Sequence, residues 1–464
     1  MSRLVVVSNR VADLEKGVQS GGLAVALGDA LRQSGGLWFG WSGKVTDDDN
    51  DDELTTKVVR KGSVTVATVP MTRRDYEEYY LGFSNQVLWP ACHYRLDLVK
   101  FENAYFEGYR RVNKRLADAI IELLHPDDII WVHDYHLISL ASELRARGVT
   151  QRIGFFLHIP FPPPGVLLAV PVHNWLVKSL FFFDVIGFQT NSDVVNFQRF
   201  VSEHSEGQVL SDGRVMAFGR TVIARAFPIG IDVDAFATLA RSPAADEIIE
   251  RLNRRLLARS HIIGVDRLDY TKGLPERMKA FRRLLELFPD KRKAVTLMQI
   301  APPTREDVAV YTDIREELEK LSGSINGEYG NFDWTPVRYI HRNIPRQTLA
   351  ALFRGCQVGL VTPLRDGMNL VAKEYIAAQD DENPGVLVLS RFAGAAEDLE
   401  EALIVNPYDN DDIAHALEQG LTMPLEERRS RHQALIKRVR AQDARNWRKN
   451  FLAALSPQTH GAFA

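Results

Sequence analysis

An α/β fold with parallel sheets in two domains is predicted by three observations. Short β-branched or apolar runs alternate with longer helical patterns along most of the 464 residues, which is the signature of βαβ units. The alternation occurs in both halves, separated by Phe227-Pro228-Ile229-Gly230-Ile231-Asp232, where proline and glycine interrupt it. The composition, 45% hydrophobic and 25% charged, is the ordinary balance of a soluble globular chain. At about 150 residues per domain the length allows two large domains or three.

Strands are expected at Leu4–Val7, Ile129–His133, Ile153–His158, Val185–Gln189, Ile262–Val265, Val295–Ile300, Val337–Ile340, Val358–Thr362 and Val386–Leu389. Each is a continuous apolar run, as strands covered on both faces require. Helices are expected between them, among them Gly22–Gln33, Leu137–Arg147, Pro275–Phe288, Val308–Leu321, Asn369–Gln379 and Asp411–Leu421. Pro275 marks a secure start, because a first-turn residue needs no N–H donor. The acidic run Asp47-Asp48-Asp49-Asn50-Asp51-Asp52-Glu53 lacks EF-hand glycine and spacing, and reads as a solvated hairpin tip. Arg428–Asn450 is basic with Leu435, Val439 and Trp447 at helical spacing, which reads as an amphipathic helix packed on the body. No short repeat occurs, so a solenoid is not expected.

Lys+Arg 57 against Asp+Glu 60 leaves a formal charge of -3. No overall basic field results, so nucleic acid is not an expected partner and any anion must be gripped locally. Cys92 and Cys356 lie far apart without a C-x-x-C partner and read as buried free thiols. The first residues carry only four apolar side chains before polar ones return, short of a signal-peptide core, so a cytoplasmic location is expected. Trp175–Phe188, the most apolar stretch, is interrupted by Lys178 and Asp184 and reads as core rather than a membrane span. A homo-oligomer is the expectation from symmetry statistics alone.

In open parallel sheets, ligands bind beyond the carboxyl ends of the strands, where loops and helix N-termini converge. The polar residues expected there are Arg10, then Asp134, His158, Asp266-Arg267, Arg305 and Asp366, with Gly21-Gly22 at the first helix start. Such a glycine pair lets backbone N–H groups approach an anion, though a plain turn is the commoner reading of the pair alone. Arg267 and Lys272 share one loop before Pro275. Two cations beside a helix N-terminus stabilise a diphosphate leaving group without a metal; the competing reading pairs them with Asp266 and Asp269 at the surface. After Asp366-Gly367 a further helix starts with its N–H groups outward, and Glu374 lies one turn in, placed to accept both hydroxyls of a ribose. His133-Asp134-Tyr135-His136 offers no third metal ligand, so Asp134 reads as a hydroxyl acceptor and no metal is expected. His158, before a proline-rich turn, reads as a site residue rather than a satisfied core histidine. No G-x-S-x-G, Walker A, H-E-x-x-H or kinase motif occurs.

The blocks Ser8-Asn9-Arg10, Gly21-Gly22-Leu23, Leu88-Trp89-Pro90, Trp131 to Leu137, His158-Ile159-Pro160-Phe161-Pro162, Arg267 to Gly273 and Asp366 to Glu374 together resemble the α,α-trehalose-phosphate synthase family. They extend beyond Asn406-Pro407-Tyr408, nearly the whole chain. The resemblance implies a retaining glycosyltransferase of GT-B architecture, with two Rossmann-like domains facing across a cleft and a C-terminal helix crossing back to the first. It implies an acceptor domain of residues 1–228 plus a helix near 445–464, and a nucleotide-sugar domain of residues 229–444. The implied reaction passes glucose from UDP-glucose to glucose 6-phosphate, giving α,α-trehalose 6-phosphate and UDP, with no cofactor.

By motif, the resemblance assigns Arg10, Tyr80, Trp89, Asp134 and Arg305 to glucose 6-phosphate, the two arginines to its phosphate. It assigns Gly21, Gly22, Arg267, Lys272, Asp366 and Glu374, with main-chain groups of Gly367, Met368, Asn369, Leu370 and Val371, to the nucleotide sugar. His158 is implied near the donor glucose; Arg267, Lys272, His158, Asp134 and Asp366 form the implied catalytic set. Pro163-Pro164-Gly165 departs from the family, which usually has a small polar residue and then glutamate there. Two other readings are a glucosylglycerol-phosphate synthase using ADP-glucose and glycerol 3-phosphate, and a catalytically silent sugar-phosphate sensor.

Overall fold

A computed structural model describes residues 2–11, 27–28, 31–32, 35–47, 55–255, 259–304 and 309–456. The chain forms two compact units, one of residues 1–228 with 447–464 and one of residues 229–446. The first is built on ten strands: β1 (Leu4–Arg10), β2 (Gly36–Thr46), β3 (Lys57–Lys61), β4 (Val64–Thr72), β5 (Ile129–His133), β6 (Arg152–Phe156), β7 (Val185–Phe188), β8 (Gln208–Val209), β9 (Arg214–Ala217) and β10 (Arg220–Ala226). Their order is β3-β4-β2-β1-β5-β6-β7-β10-β9-β8. The seven strands from β4 to β10 are mutually parallel, with antiparallel β3 at one edge and β9-β8 at the other. From β1 the chain winds outward through β2 to β4, then returns to β5 and winds the other way. The switch point lies between β1 and β5, where this topology leaves a crevice at the strand ends.

Register positions the candidate side chains there. Ser8 lies opposite His133, and His133 opposite Phe156. Arg10, Asp134 and His158 therefore leave three neighbouring strands at the same end. The last described helix, Ala444–Leu455, belongs to this unit from Trp447 onward. Phe451 is fully buried, stacks on Trp131 at 4.7 Å between centroids, and lies where a Cβ at Gly154 or Gly187 would come within 2.8 Å of its ring. Two glycines inside buried strands thus make room for one aromatic ring. Phe451→Ala should open a cavity there and lower the stability of this unit by about 3–5 kcal/mol, read as an earlier first unfolding transition. An unchanged melting profile would show that the ring carries no such load.

The second unit holds six parallel strands, β11 (Ser260–Val265), β12 (Val295–Ile300), β13 (Val337–Ile340), β14 (Val358–Val361), β15 (Val386–Ser390) and β16 (Leu403–Val405). Their order is β13-β12-β11-β14-β15-β16, a Rossmann sheet with its switch point between β11 and β14. The residues leaving those two strands are Asp266-Arg267 and the segment from Thr362 to Asn369.

Each predicted strand is present, with ends shifted by up to three residues. Two readings need correction. Leu137–Arg147 is a 3-10 turn, Tyr135–Leu137, followed by a helix over Leu140–Ala146. Arg428–Asn450 is two helices, Leu425–Ala441 and Ala444–Leu455, rather than one. The break is held by Ala444 N–H to Ile231 C=O, and by Gly230, where a Cβ would collide with the Gln442 carbonyl. The acidic run from Asp47 lies almost wholly outside the described residues. The predicted Gly22–Gln33 helix and the start of Val308–Leu321 also fall largely or partly outside the described residues. Both cysteines are buried and free. Among the described residues no helix is long and apolar enough to cross a membrane, and Trp175–Phe188 forms a helix end and β7 within the core.

Candidate active site

In the first unit the site is an aromatic wall beside a strained carboxylate. After β4 the chain runs through a 13-residue π-helix, Tyr76–Leu88, into a short helix, Trp89–Cys92; π-turns are rare and concentrate at functional sites. Here they stack Tyr76 on Tyr80 at 5.4 Å and Tyr80 on His136 at 5.9 Å, with Trp41 tilted against Tyr80 at 5.6 Å. The Arg10 guanidinium lies over the Trp41 ring at 5.8 Å and against Gly43, where a Cβ would approach its nitrogens within 3 Å. Stacking on an aromatic face fixes the plane of the guanidinium, and among the described residues no ion pair with a carboxylate is formed. Trp89 is set back, 4% exposed against His93 and Tyr135, so that only an edge reaches the surface.

Asp134 follows β5 with φ 76°, a left-sided backbone that a non-glycine residue adopts only when its surroundings impose it. Its N–H donates to Phe156 C=O at 2.8 Å, its C=O accepts from Leu137, and its Oδ1 accepts from the His158 N–H at 3.3 Å. His158 Nε2 lies 3.1 Å from Nδ1 of the fully buried His133. Burial lowers the basicity of both rings, that of His158 to about 3, so both are neutral in ordinary buffers. The departing loop is fixed by Asp193, whose carboxylate accepts from Phe161 N–H while closing a capping box with Thr190. Pro163 and Pro164 start a short helix there, and Gly165 faces open space.

In the second unit the loop after β11 folds on its own acids. Asp269, fully buried, accepts from the Thr271 N–H and hydroxyl at 3.0 Å each, and from Arg267 Nε at 3.4 Å. Lys272 Nζ reaches Asp366 Oδ2 at 2.5 Å, and Asn369 Nδ2 shares that oxygen at 3.0 Å. Asn369 has φ 73° and makes no side-chain cap bond to the helix Leu370–Ala378, so that helix presents its first N–H groups outward. Glu374, one turn in, is only partly exposed. Desolvation pushes its carboxyl up to about 7, against the pull of Arg346. Beneath lies Arg277, with no exposed surface, donating to Asp266 at 2.9 Å and to Gln299 and Thr362 at 3.2 Å each.

Of the predicted residues, Arg10, Tyr80, Asp134 and His158 gather at the first switch point. Arg267, Lys272, Asp366, the segment Gly367 to Val371, and Glu374 gather at the second. Gly21, Gly22 and Arg305 lie outside the described residues. The competing surface pairing of the cations is realised in part: Arg267 meets Asp269, whereas Lys272 takes Asp366 and Asp266 takes Arg277. Sequence reasoning missed Trp41, Tyr76, His133, Arg277 and the roles of Asp269 and Asn369. Only Arg277 left a signal, being a charge on the apolar face shared by Leu274, Met278, Phe281 and Leu285. Among the described residues no group of three or more His, Cys, Asp or Glu side chains could hold a metal ion.

One Rossmann-type unit with cations beside a helix N-terminus, and another with an aromatic wall beside a carboxylate, fit the class of two-domain glycosyltransferases that use nucleotide sugars. The chain belongs to glycosyltransferase family 20, whose sequence model matches residues 5–457. It is 50% identical to a trehalose-6-phosphate synthase of Klebsiella pneumoniae over 98% of this chain and 95% of that one. A crystal structure of an α,α-trehalose-phosphate synthase (UDP-forming) from Burkholderia xenovorans, in complex with glucose-6-phosphate, superposes with TM-score 0.94 at 53% identity, over 98% of this chain and 100% of that one. An E. coli trehalose-6-phosphate structure bound with UDP-2-fluoro glucose matches with TM-score 0.92 at 48% identity, covering 98% and 99%.

Proposed function

We propose that this chain transfers glucose from UDP-glucose to glucose 6-phosphate with retention, giving α,α-trehalose 6-phosphate and UDP. The observation that carries the reading is that both side-chain sets are intact in a chain matched end to end by trehalose-6-phosphate synthases. The glycerol phosphate and sensor readings gain no support from these relatives.

In the donor unit, Arg267, Lys272 and the N-terminus of Leu370–Ala378 take the diphosphate, and Glu374 takes the ribose hydroxyls. Asp366 orients Lys272 through their short ion pair. In the acceptor unit, Arg10 takes the 6-phosphate, Tyr80 and an edge of Trp89 flank the sugar ring, and Asp134 accepts a hydroxyl. His158 serves the glucosyl group. The bond from glucosyl C1 to the β-phosphate oxygen breaks as C1 bonds O1 of the acceptor on the same face. The acceptor's hydroxyl proton passes to the departing phosphate. No pair of carboxylates acts as nucleophile and acid/base, unlike a glycosidase, so charge stabilisation and proximity supply the rate. Release of UDP from UDP-glucose should require glucose 6-phosphate; turnover with glycerol 3-phosphate in its place would overturn the acceptor assignment.

Glu374 makes the nucleotide grip pH-dependent. Ribose hydroxyls donate to the ionised carboxylate, so binding favours the charged form of a group whose folded-state value is about 7. UDP affinity should therefore rise as pH increases through 7, and this contribution should fall about tenfold per unit well below it. Calorimetric titration from pH 5.5 to 8.5 with Glu374→Gln as reference isolates it from the titration of UDP itself. Equal pH slopes in the two proteins would remove Glu374 from the ribose site.

A further inference from the structure

The histidine pair of the first unit carries a consequence for which proton His158 offers. His133 and His158 rings lie 5.3 Å apart and 27° from parallel, joined by the 3.1 Å contact between His133 Nδ1 and His158 Nε2. Both rings being neutral, one nitrogen of that contact carries the hydrogen and the other accepts it. The other end of His133 decides which. Its Nε2 is buried without a hydrogen-bond partner among the described residues, and so are the indole N–H groups of Trp131 and Trp447. The three rings form one cluster, with centroids 4.5 Å (Trp131–His133), 4.8 Å (Trp131–Trp447) and 6.2 Å (His133–Trp447) apart.

A hydrogen on His133 Nε2 would crowd three unpaired N–H groups into one buried cluster. Orphaned buried N–H groups are rarer than orphaned lone pairs, and a lone pair there avoids a third like-ended dipole beside the two indoles. His133 therefore carries its hydrogen on Nδ1 and donates to His158 Nε2. His158 must then carry its own on Nδ1, the nitrogen for which no described residue is a partner, and it is the partly exposed member of the pair.

We propose that His133 is a positioning residue that locks His158 as the Nδ1–H tautomer, so that His158 offers the glucosyl group a neutral N–H donor rather than a lone pair. Trp447 makes the final helix part of this lock, since it packs on both histidines. The proposal rests on the reading of His158 as a site residue.

Two measurements test it. In the full-length protein labelled with 15N-histidine, the signals lost in His158→Ala should show a protonated Nδ1 and an unprotonated Nε2; the reverse assignment overturns the proposal without any variant of His133. In steady-state kinetics, His133→Phe should lower kcat about tenfold, the worth of one hydrogen bond, with KM for glucose 6-phosphate little changed. His133→Asn, whose amide can donate near the Nδ1 position, should recover most of the loss. In a His158→Ala background His133→Phe should have no further effect, and an undiminished loss there would show that His133 acts otherwise than through His158. If His158→Ala itself turns over normally, the assignment of His158 to the site fails, while the tautomer spectrum still decides the lock.

Discussion

Lys272→Ala is expected to lower kcat by about a hundredfold to a thousandfold, the loss that follows removal of a preorganised group facing developing charge. The side chain is 11% exposed and held by Asp366, so its ammonium is largely desolvated and fixed before substrate arrives. A cation in that state stabilises a departing diphosphate without reorganisation, which a solvated surface lysine does not. Arg267→Ala should cost a similar factor, and the double variant less than the product, because the two cations serve one leaving group. Initial rates of UDP release read the effect. Near-normal turnover in either single variant would sink the leaving-group assignment, and Asp366→Asn distinguishes loss of the cation from loss of its orientation.

Arg277→Leu is expected to be the most destabilising single change in the donor unit, by about 3–5 kcal/mol, since it leaves the buried carboxylate of Asp266 without its counter-charge and with only the Asn369 amide. Arg277 also ties β12 through Gln299 and the end of β14 through Thr362. The loss should therefore appear in denaturant unfolding of this unit and, with it, in weaker UDP binding. Arg277→Lys should recover little, since a point charge cannot serve three partners set around a planar fork. A change below about 1 kcal/mol in the leucine variant would mean that Asp266 does not depend on Arg277 for its burial, which would overturn this reading.

Both residues show what a sequence can and cannot disclose. Strands of the two central parallel sheets were legible because burial on both faces demands unbroken apolar runs, as in Val358–Val361 and Val386–Leu389. Strand β2 was not, because Gly36-Leu37-Trp38-Phe39-Gly40-Trp41-Ser42-Gly43 mixes glycines with aromatics whose purpose is tertiary. Arg10 fits against Gly43, and a Cβ at Gly40 would strike the Ser8 carbonyl. Strands β8 to β10, toward one side of the sheet, carry exposed polar residues and no long unbroken apolar run. The π-helix has no sequence period to detect: its aromatic residues read as core at any helical spacing.

At the site, residues at strand ends were found because topology alone brings them together. Those one layer behind were not. His133 looked like a metal-motif fragment and Asp269 like a surface partner, and only the fold reveals a buried ring pair and a carboxylate that folds its own loop. Asn369 was read as a main-chain contact, whereas its side chain ties Asp366 to Asp266 across the loop ends.

The most direct test of the central claim is NMR identification of the product formed from UDP-glucose and glucose 6-phosphate. A disaccharide phosphate joined through both anomeric carbons, each in the α configuration, should accumulate in step with UDP. A β-configured donor residue, or a linkage to any other hydroxyl, would contradict same-face transfer at the site described.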